Sequence, residues 1–455
     1  MTLALIKPAV GTTGWGSDMN NNLSSIESAV NGLETGSFLG AGATGAQLQS
    51  AVDAVPRGGV LRLGTGTFVV PAGGLVISKS IVLEGTGSMF RYDAHGTVLT
   101  PAGARNATDQ PIISIVPSES EMAGDSSFHS MTASLRNLNL FGNGERFAAG
   151  SYGVVCNLSN TTTVNLHMEH CTIKLCCDDG VHITGDGGAN AVVGGEFNGV
   201  DATYNWGHGL YITGSTVVKA TSCFLVGNWK FGAYAVSTGI RFDNCTFESN
   251  SKNMAVSESV DAQLCAFDCN VMNVTGCHFE NFDGATRAGV AYYGRKAIHA
   301  HGCTGLLIQG SVFINGPPAP VTSDNNIAIY LTTDGSGTPG MVAANYFQGC
   351  YIGVCCGDGT IYPRSMAAAH VFEQQSSPGG CTVPFLSCQG TGFTRINPDF
   401  VQMSTASAEG MHYWDTTNHR LMVWDGSAWF TATLGEPVYY NDEPVTYNDS
   451  IVCIN

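Results

Sequence analysis

Two neighbouring carboxylates, Asp178 and Asp179, precede Gly180, and an imidazole, His208, stands between Gly207 and Gly209. Asp201, Tyr204 and Trp206 are expected in the turn that precedes that histidine, and Trp229 and Lys230 follow downstream. Acids beside an imidazole can protonate a glycosidic oxygen and activate water, while indole and phenol rings stack on sugar faces. The same dipeptides also serve a structural purpose, because Asp-Gly and His-Gly are ordinary turn sequences. A second acidic pair, Glu248 and Glu280, recurs directly after phenylalanine. On consecutive rungs of a stacked fold these carboxylates would lie ~5 Å apart. Two acids so close cannot both ionise cheaply, which would leave one protonated as a general acid at the spacing of a retaining glycosidase. Splaying into solvent or binding a cation is the alternative.

Such residues act together only if the chain stacks them, and its periodicity predicts that it does. An apolar position recurs about once every thirty residues, at Leu140, Ile173, Phe197, Phe224, Phe247, Phe279, Phe313 and Phe347. In step with it, Gly153, Gly180, Gly209, Gly232, Asn253, Asn326 and Gly353 each open a short apolar strand. Each period therefore reads as two short strands and a tight turn. A unit of that size cannot bury its apolar face alone, so successive units must stack, each rising ~4.8 Å over the last. The expected fold is all-β, a right-handed single-stranded parallel β-helix. In this frame Asp178-Asp179-Gly180 lies one rung below Gly207-His208-Gly209, with Lys230-Phe231 and then Ser251-Lys252 above. The outward row beyond the apolar column reads Phe141, Lys174, Asn198, Leu225, Glu248, Glu280, Ile314 and Gln348.

Composition agrees with a solenoid. Of 455 residues, 44% are hydrophobic, only 12% are charged and 58 are glycine, which suits a structure built from turns and polar ladders. A net charge of -17 leaves no basic surface to neutralise phosphates, so nucleic acid and anionic membrane are excluded as expected partners. No apolar run is long enough to span a bilayer, and no secretory leader opens the chain, so folding in a cytoplasm is expected. The 16 cysteines include Cys171, Cys223, Cys245 and Cys277 at matched inward positions, which predicts a reduced core ladder, with a disulfide framework as the alternative in oxidising surroundings. Cys176-Cys177 and Cys355-Cys356 lack the paired spacing of a zinc site, and neither a metal nor a cofactor is expected. A calcium-dependent lyase using Asp178, Asp179 and Lys230 fits less well than a hydrolase.

The chain divides into three parts. In residues 1–38, Met19, Leu23, Ile26, Val30 and Leu33 follow a heptad pattern for about two heptads, which reads as a short coiled coil joining copies of the chain or lying on a neighbour, or as one amphipathic helix packed on its own body. Residues 39–400 form the β-helix, with an N-terminal cap at about 40–87: a helix from Ala46 to Val55 stopped by Pro56, then strands at Val60–Leu63, Phe68–Val70 and Ile81–Leu83. Residues 401–455 abandon the rung pattern and are expected to form a β-rich region that serves trimerisation or capping. Aromatic β segments there surround the turns at 415–418 and 425–427, and EPVYYND and EPVTYND form an internal echo.

Three of these stretches carry a resemblance. The cap is similar to that of the pectin-lyase-like β-helix superfamily. The segment from Met411 to Ala432 resembles a module found near the C-termini of phage tail fibres. Thr13-Gly14-Trp15-Gly16 with Met19-Asn20-Asn21-Asn22 resembles the N-terminal segment by which tailspikes attach to the virion. Together they resemble a bacteriophage tailspike. That implies a homotrimer in the virion tail, joined to tail or baseplate through its N-terminus, that recognises a glycan of the host cell surface and cleaves or merely binds it. Asp-Asp-Gly one rung below Gly-His-Gly also resembles the polygalacturonase pattern. It implies Asp178 and Asp179 as acid and base, with His208 orienting one of them. Ser151-Tyr152-Gly153 stands where that family has a further acid, and no Arg-x-Lys clamp is evident.

Overall fold

The computed structural model describes residues 37–87, most of 96–356, and the backbone of short strands between 371 and 451. The expected attachment segment and coiled coil lie outside the described residues. So does most of the long insertion on the Glu280 rung, with Asp283, Tyr292, Tyr293 and Arg295, which the sequence suggests could wall a groove or fill a trimer interface.

Among the described residues, three sheets of 11, 11 and 12 strands run along the molecule. Each turn of the chain gives one strand to each sheet in the order first, second, third, as in Thr162–Glu169, Thr172–Lys174 and Val181–Thr184. Each of these three strands pairs in parallel with its counterparts one turn before and after, and only Gly392–Arg395, at the end of the third sheet, is antiparallel to its neighbour among the described strands of these sheets. Parallel crossovers are right-handed, and the chain is a right-handed parallel β-helix. There are thus three strands per rung, not two. The strand missing from the periodic frame belongs to the first sheet, whose outward residues, such as Lys219 and Arg241, carry no recurring marker.

Register corrects the apolar column. It runs Leu140, Ile173, Ala202, Leu225, Phe247, Phe279, Phe313 and Phe347. The four phenylalanine rings stack at 4.8, 4.9 and 5.0 Å. Phe197 sits in the first sheet, between Met168 and Ala220, and Phe224 is one position early, paired with Asp201 and Thr246. The outward row therefore contains Thr203 and Val226 in place of Asn198 and Leu225. The buried cysteines explain the slip: Cys245 and Cys277 precede their phenylalanines by two residues, but Cys223 precedes Phe224 by one. In the glycine column, register puts Gln263 and Ala328 where the sequence suggested Asn253 and Asn326; those two asparagines lie outside the described residues.

The glycine column is required by a buried polar ladder. Asn205 Nδ2 donates to Asn228 Oδ1 at 3.0 Å, Asn228 Nδ2 to Asn250 Oδ1 at 2.9 Å, and Asn250 Nδ2 to Gln263 Oε1 at 2.8 Å. The same oxygens accept backbone N–H groups of the rung below. A Cβ at Gly180, Gly209 or Gly232 would come within 2.9, 2.9 or 2.8 Å of these amides, so side chains are shut out at these three positions, and at the next the Gln263 side chain itself ends the ladder. The expected thiol ladder also forms: Cys171, Cys223, Cys245 and Cys277 are free and buried, each Sγ donating to a carbonyl of the adjacent rung.

The N-terminal end is closed by local chemistry. Helix Gly45–Ala54 begins with a capping box between Thr44 and Gln47 and buries Leu48 and Val52 on the first rung. Its Gln49 side chain both donates to and accepts from the backbone of Val76. The amide thus stands in for the missing next strand at an open sheet edge. Toward the C-terminus, His412–Asp415, Arg420–Trp424 and Trp429–Thr431 form an antiparallel meander, followed by two short hairpins in the echoed segment. Among the described residues no helix is long and apolar enough to cross a membrane.

Asn228→Ala breaks the ladder at its centre and strands buried amide groups on both neighbouring rungs. We expect a loss of about 2–3 kcal/mol, read as a lowered denaturant midpoint. An unchanged midpoint would show that the ladder contributes nothing to stability.

Candidate functional site

The turn between the second and third sheets builds the site. Gly153 N–H donates to the Asp179 carbonyl, Gly207 N–H to that of Asp178, and Lys230 N–H to that of Gly207. Tyr152, Asp179, His208 and Phe231 therefore stack in one row, and Ser151, Asp178, Gly207, Lys230 and Ser251 in the next. This is the alignment expected from sequence as far as Ser251; Lys252 lies outside the described residues. A Cβ at Gly207 would overlap both carboxylates, so glycine at that point is what lets the two acids sit side by side.

Asp179 is 2% exposed and fully engaged. Its Oδ1 accepts the backbone N–H and Nδ1 of His208 at 2.6 and 2.7 Å, and its Oδ2 faces Nδ1 of His182 at 2.7 Å. Burial acts to raise its pKa, but the charge of His208 and the hydrogen bonds from both histidines outweigh that and hold it well below the usual carboxylate range. Asp178 has the opposite fate. Burial, then the negative charge of Asp179, push it up to about 6, against the Gly150 N–H and the charges of Lys230 and His208. Two adjacent, chemically identical groups are thereby set to different charge states.

Rings enclose the pair. Tyr152 stacks on His182 at 4.2 Å, and His182 on Tyr211 at 4.5 Å with the planes 1° apart. Tyr211 stacks in turn on Tyr234, and His208 tilts against Tyr211, Phe231 and Tyr234. Burial, with the charges of Asp178 and Asp179, pushes the Tyr152 hydroxyl up to about 12. On the other side, Trp206 stacks on Trp229 at 4.0 Å. The turn from the rung below rises over the acids as a strap: Gly144 O accepts from Trp206 Nε1, Gly150 N–H donates to Asp178 Oδ2 at 3.0 Å, and the Phe147 ring lies under Lys230 Nζ.

Other expected residues lie apart. Asp201 is on a strand rather than in a turn, its Oδ2 3.9 Å from Lys174 Nζ. Tyr204 is 39% exposed with a left-handed backbone, beside Trp206 in sequence. Glu248 and Glu280 are paired on adjacent strands as expected, three and four rungs above Asp178, at least ~14 Å along the axis. Each has its own partner: His278 Nε2 lies 3.2 Å from Glu280, and Asn281 Nδ2 lies 3.5 Å from Glu248.

Sequence reasoning missed His182, Tyr152, Tyr211 and the strap. The signal for the rings was present: GVHI, GLYI and GAYA align His182, Tyr211 and Tyr234, and two-residue alternation places that column on the outer face. Nothing in the sequence marks the strap, which is a longer turn whose path depends on the rungs above.

The raised Asp178 carries a stability consequence. A folded pKa of about 6 against an ordinary 3.8 means the fold binds that proton more tightly than the unfolded chain. Stability from this group is then full below pH 4 and is lost as pH rises to about 6. Asp178→Asn should therefore be more stable than the parent at pH 8, by up to about 3 kcal/mol, and equal to it at pH 4. Thermal melts at both values check this, and a variant less stable at pH 8 would contradict it.

No family model matches the sequence, and no curated protein matches it. Solved structures similar to the chain include ORF18 of Geobacillus virus E2, 15% identical over 91% of this chain and 89% of that one, with a TM-score of 0.41. The tailspike gp42 of Acinetobacter phage vb_AbaP_AS12 is 13% identical over 82% of this chain and 66% of its own, with a TM-score of 0.36. The A-module of an Azotobacter vinelandii mannuronan C-5 epimerase is 15% identical over 72% and 91%, with a TM-score of 0.24. At such identities no residue role passes from one chain to another.

Proposed function

We propose that this chain is a phage tailspike that binds the surface polysaccharide of a bacterial host and hydrolyses it at Asp178. The splitting of Asp178 from Asp179 carries this reading, because it leaves one carboxyl able to give a proton at near-neutral pH beside one that stays ionised. Asp178 protonates the leaving glycosidic oxygen. Asp179, with both oxygens engaged, orients the two imidazoles and holds negative charge near the developing oxocarbenium ion. Trp206 and Trp229 offer an apolar wall for sugar rings, and Lys230 lines its polar rim. The sequence resemblances at the two ends support the virion tail as its place, three copies joining through the N-terminal heptads.

One observation favours a second reading. Asp178 is only 5% exposed and its Oδ2 is already hydrogen-bonded by the strap, as suits a structural turn in a spike that binds without cutting.

Incubating purified protein with host-strain polysaccharide, while following reducing ends and absorbance near 232 nm, separates the readings. The proposal expects reducing ends without absorbance, a kcat that falls as pH rises through about 6, and an Asp178→Asn variant slower by about 10²- to 10⁴-fold. Absorbance would mean elimination, and tight binding with neither signal would mean an adhesive spike.

A further inference from the structure

His182 has no part in the glycosidase pattern that the sequence suggests, yet its surroundings are those of a positioned base. Its ring is clamped face to face between Tyr152 and Tyr211, at 4.2 and 4.5 Å. Nδ1 lies 2.7 Å from Asp179 Oδ2. Asp179 is held ionised and can only accept, so the neutral ring must carry its proton on Nδ1 and keep a bare lone pair on Nε2. Among the described residues, Nε2 makes no hydrogen bond. The two faces are covered by tyrosines, and the side chain is 14% exposed against 3% for Asp179.

His208 meets the other oxygen of the same carboxylate but sits deeper, 8% exposed, with Tyr211, Phe231 and Tyr234 packed about it. Asp179 therefore fixes two imidazoles, of which His182 is the more open to the outer face of the third sheet. Asp179 itself has no free oxygen with which to take a proton. A base is still needed if water is to attack an anomeric carbon.

Resting on the hydrolytic reading of this site, we infer that His182 is the catalytic base: its Nε2 takes a proton from the attacking water, and Asp179 is the positioning residue that aims it. The water oxygen bonds to the anomeric carbon as the bond from that carbon to the glycosidic oxygen breaks. The leaving oxygen takes the Asp178 proton, and the water proton goes to His182 Nε2. Solvent then returns a proton to Asp178 and removes one from His182. This is a single displacement, so the new reducing end has inverted configuration.

The test uses the full chain and host-strain polysaccharide. His182→Gln, whose amide can still bond Asp179, should cut kcat at least 100-fold with KM and melting temperature little changed. His182→Ala should be equally slow and should regain at least tenfold with added imidazole, which a merely structural ring would not allow. The product anomer, read by proton NMR immediately after cleavage, should be inverted. Reducing-end release by the parent with His182→Gln within threefold of it, no imidazole rescue of a folded His182→Ala, or a retained anomer would each overturn the assignment while leaving hydrolysis at Asp178 standing. Binding without release by the parent protein would instead overturn the hydrolytic reading and this inference with it.

Discussion

The structure rests on the in-register parallel pairing of successive rungs. Each strand lies ~4.8 Å from the one below, so whatever occupies an offset in one turn is pressed against whatever occupies it in the next. That single constraint produces the phenylalanine stack, the thiol ladder and the buried amide ladder. It also produces the site. Asp179 meets His208 because they share a turn offset one rung apart, and His182 meets Tyr211 for the same reason, whereas Tyr152 reaches His182 from the row of Asp179.

Stacking brings together groups that would not otherwise be neighbours, and burial then decides their chemistry. Amide ladders tolerate this well, since each side chain both donates and accepts. Carboxylates tolerate it only with compensation. Asp179 receives three donors and stays ionised, whereas Asp178 receives one backbone N–H and holds its proton more tightly. The asymmetry follows from which neighbours each acid meets, with no difference in the acids themselves. A structural ladder and a reactive pair thus come from the same packing rule.

Much of this was legible in the sequence because a solenoid writes its contacts as periodicity. The glycine column from Gly153 to Gly232 fixed the alignment of the acids with His208, and the cap helix with its stop at Pro56 was plain. The phenylalanine frame failed at Phe197 and Phe224, where an aromatic of another sheet and a one-residue shift imitated the repeat. Following the buried cysteines would have given Leu225, because inward turn positions tolerate few residue types. Glu248 and Glu280 were rightly placed on adjacent rungs, but the partners that take them up, His278 and Asn281, come from the same short strand and the turn after it, which no columnar reading sees. The strap across Asp178 is invisible for the same reason: it crosses rungs instead of following them.

Titration of the two carboxyls tests the central claim most directly. In protein labelled with carbon-13 at the aspartate side-chain carboxyls, one signal should titrate near pH 6 and vanish in Asp178→Asn, while a signal assigned through Asp179→Asn stays ionised at the lowest pH the fold survives. Two carboxyls titrating together near the ordinary value of 3.8 would contradict the account, since the pair would then be two solvated turn residues.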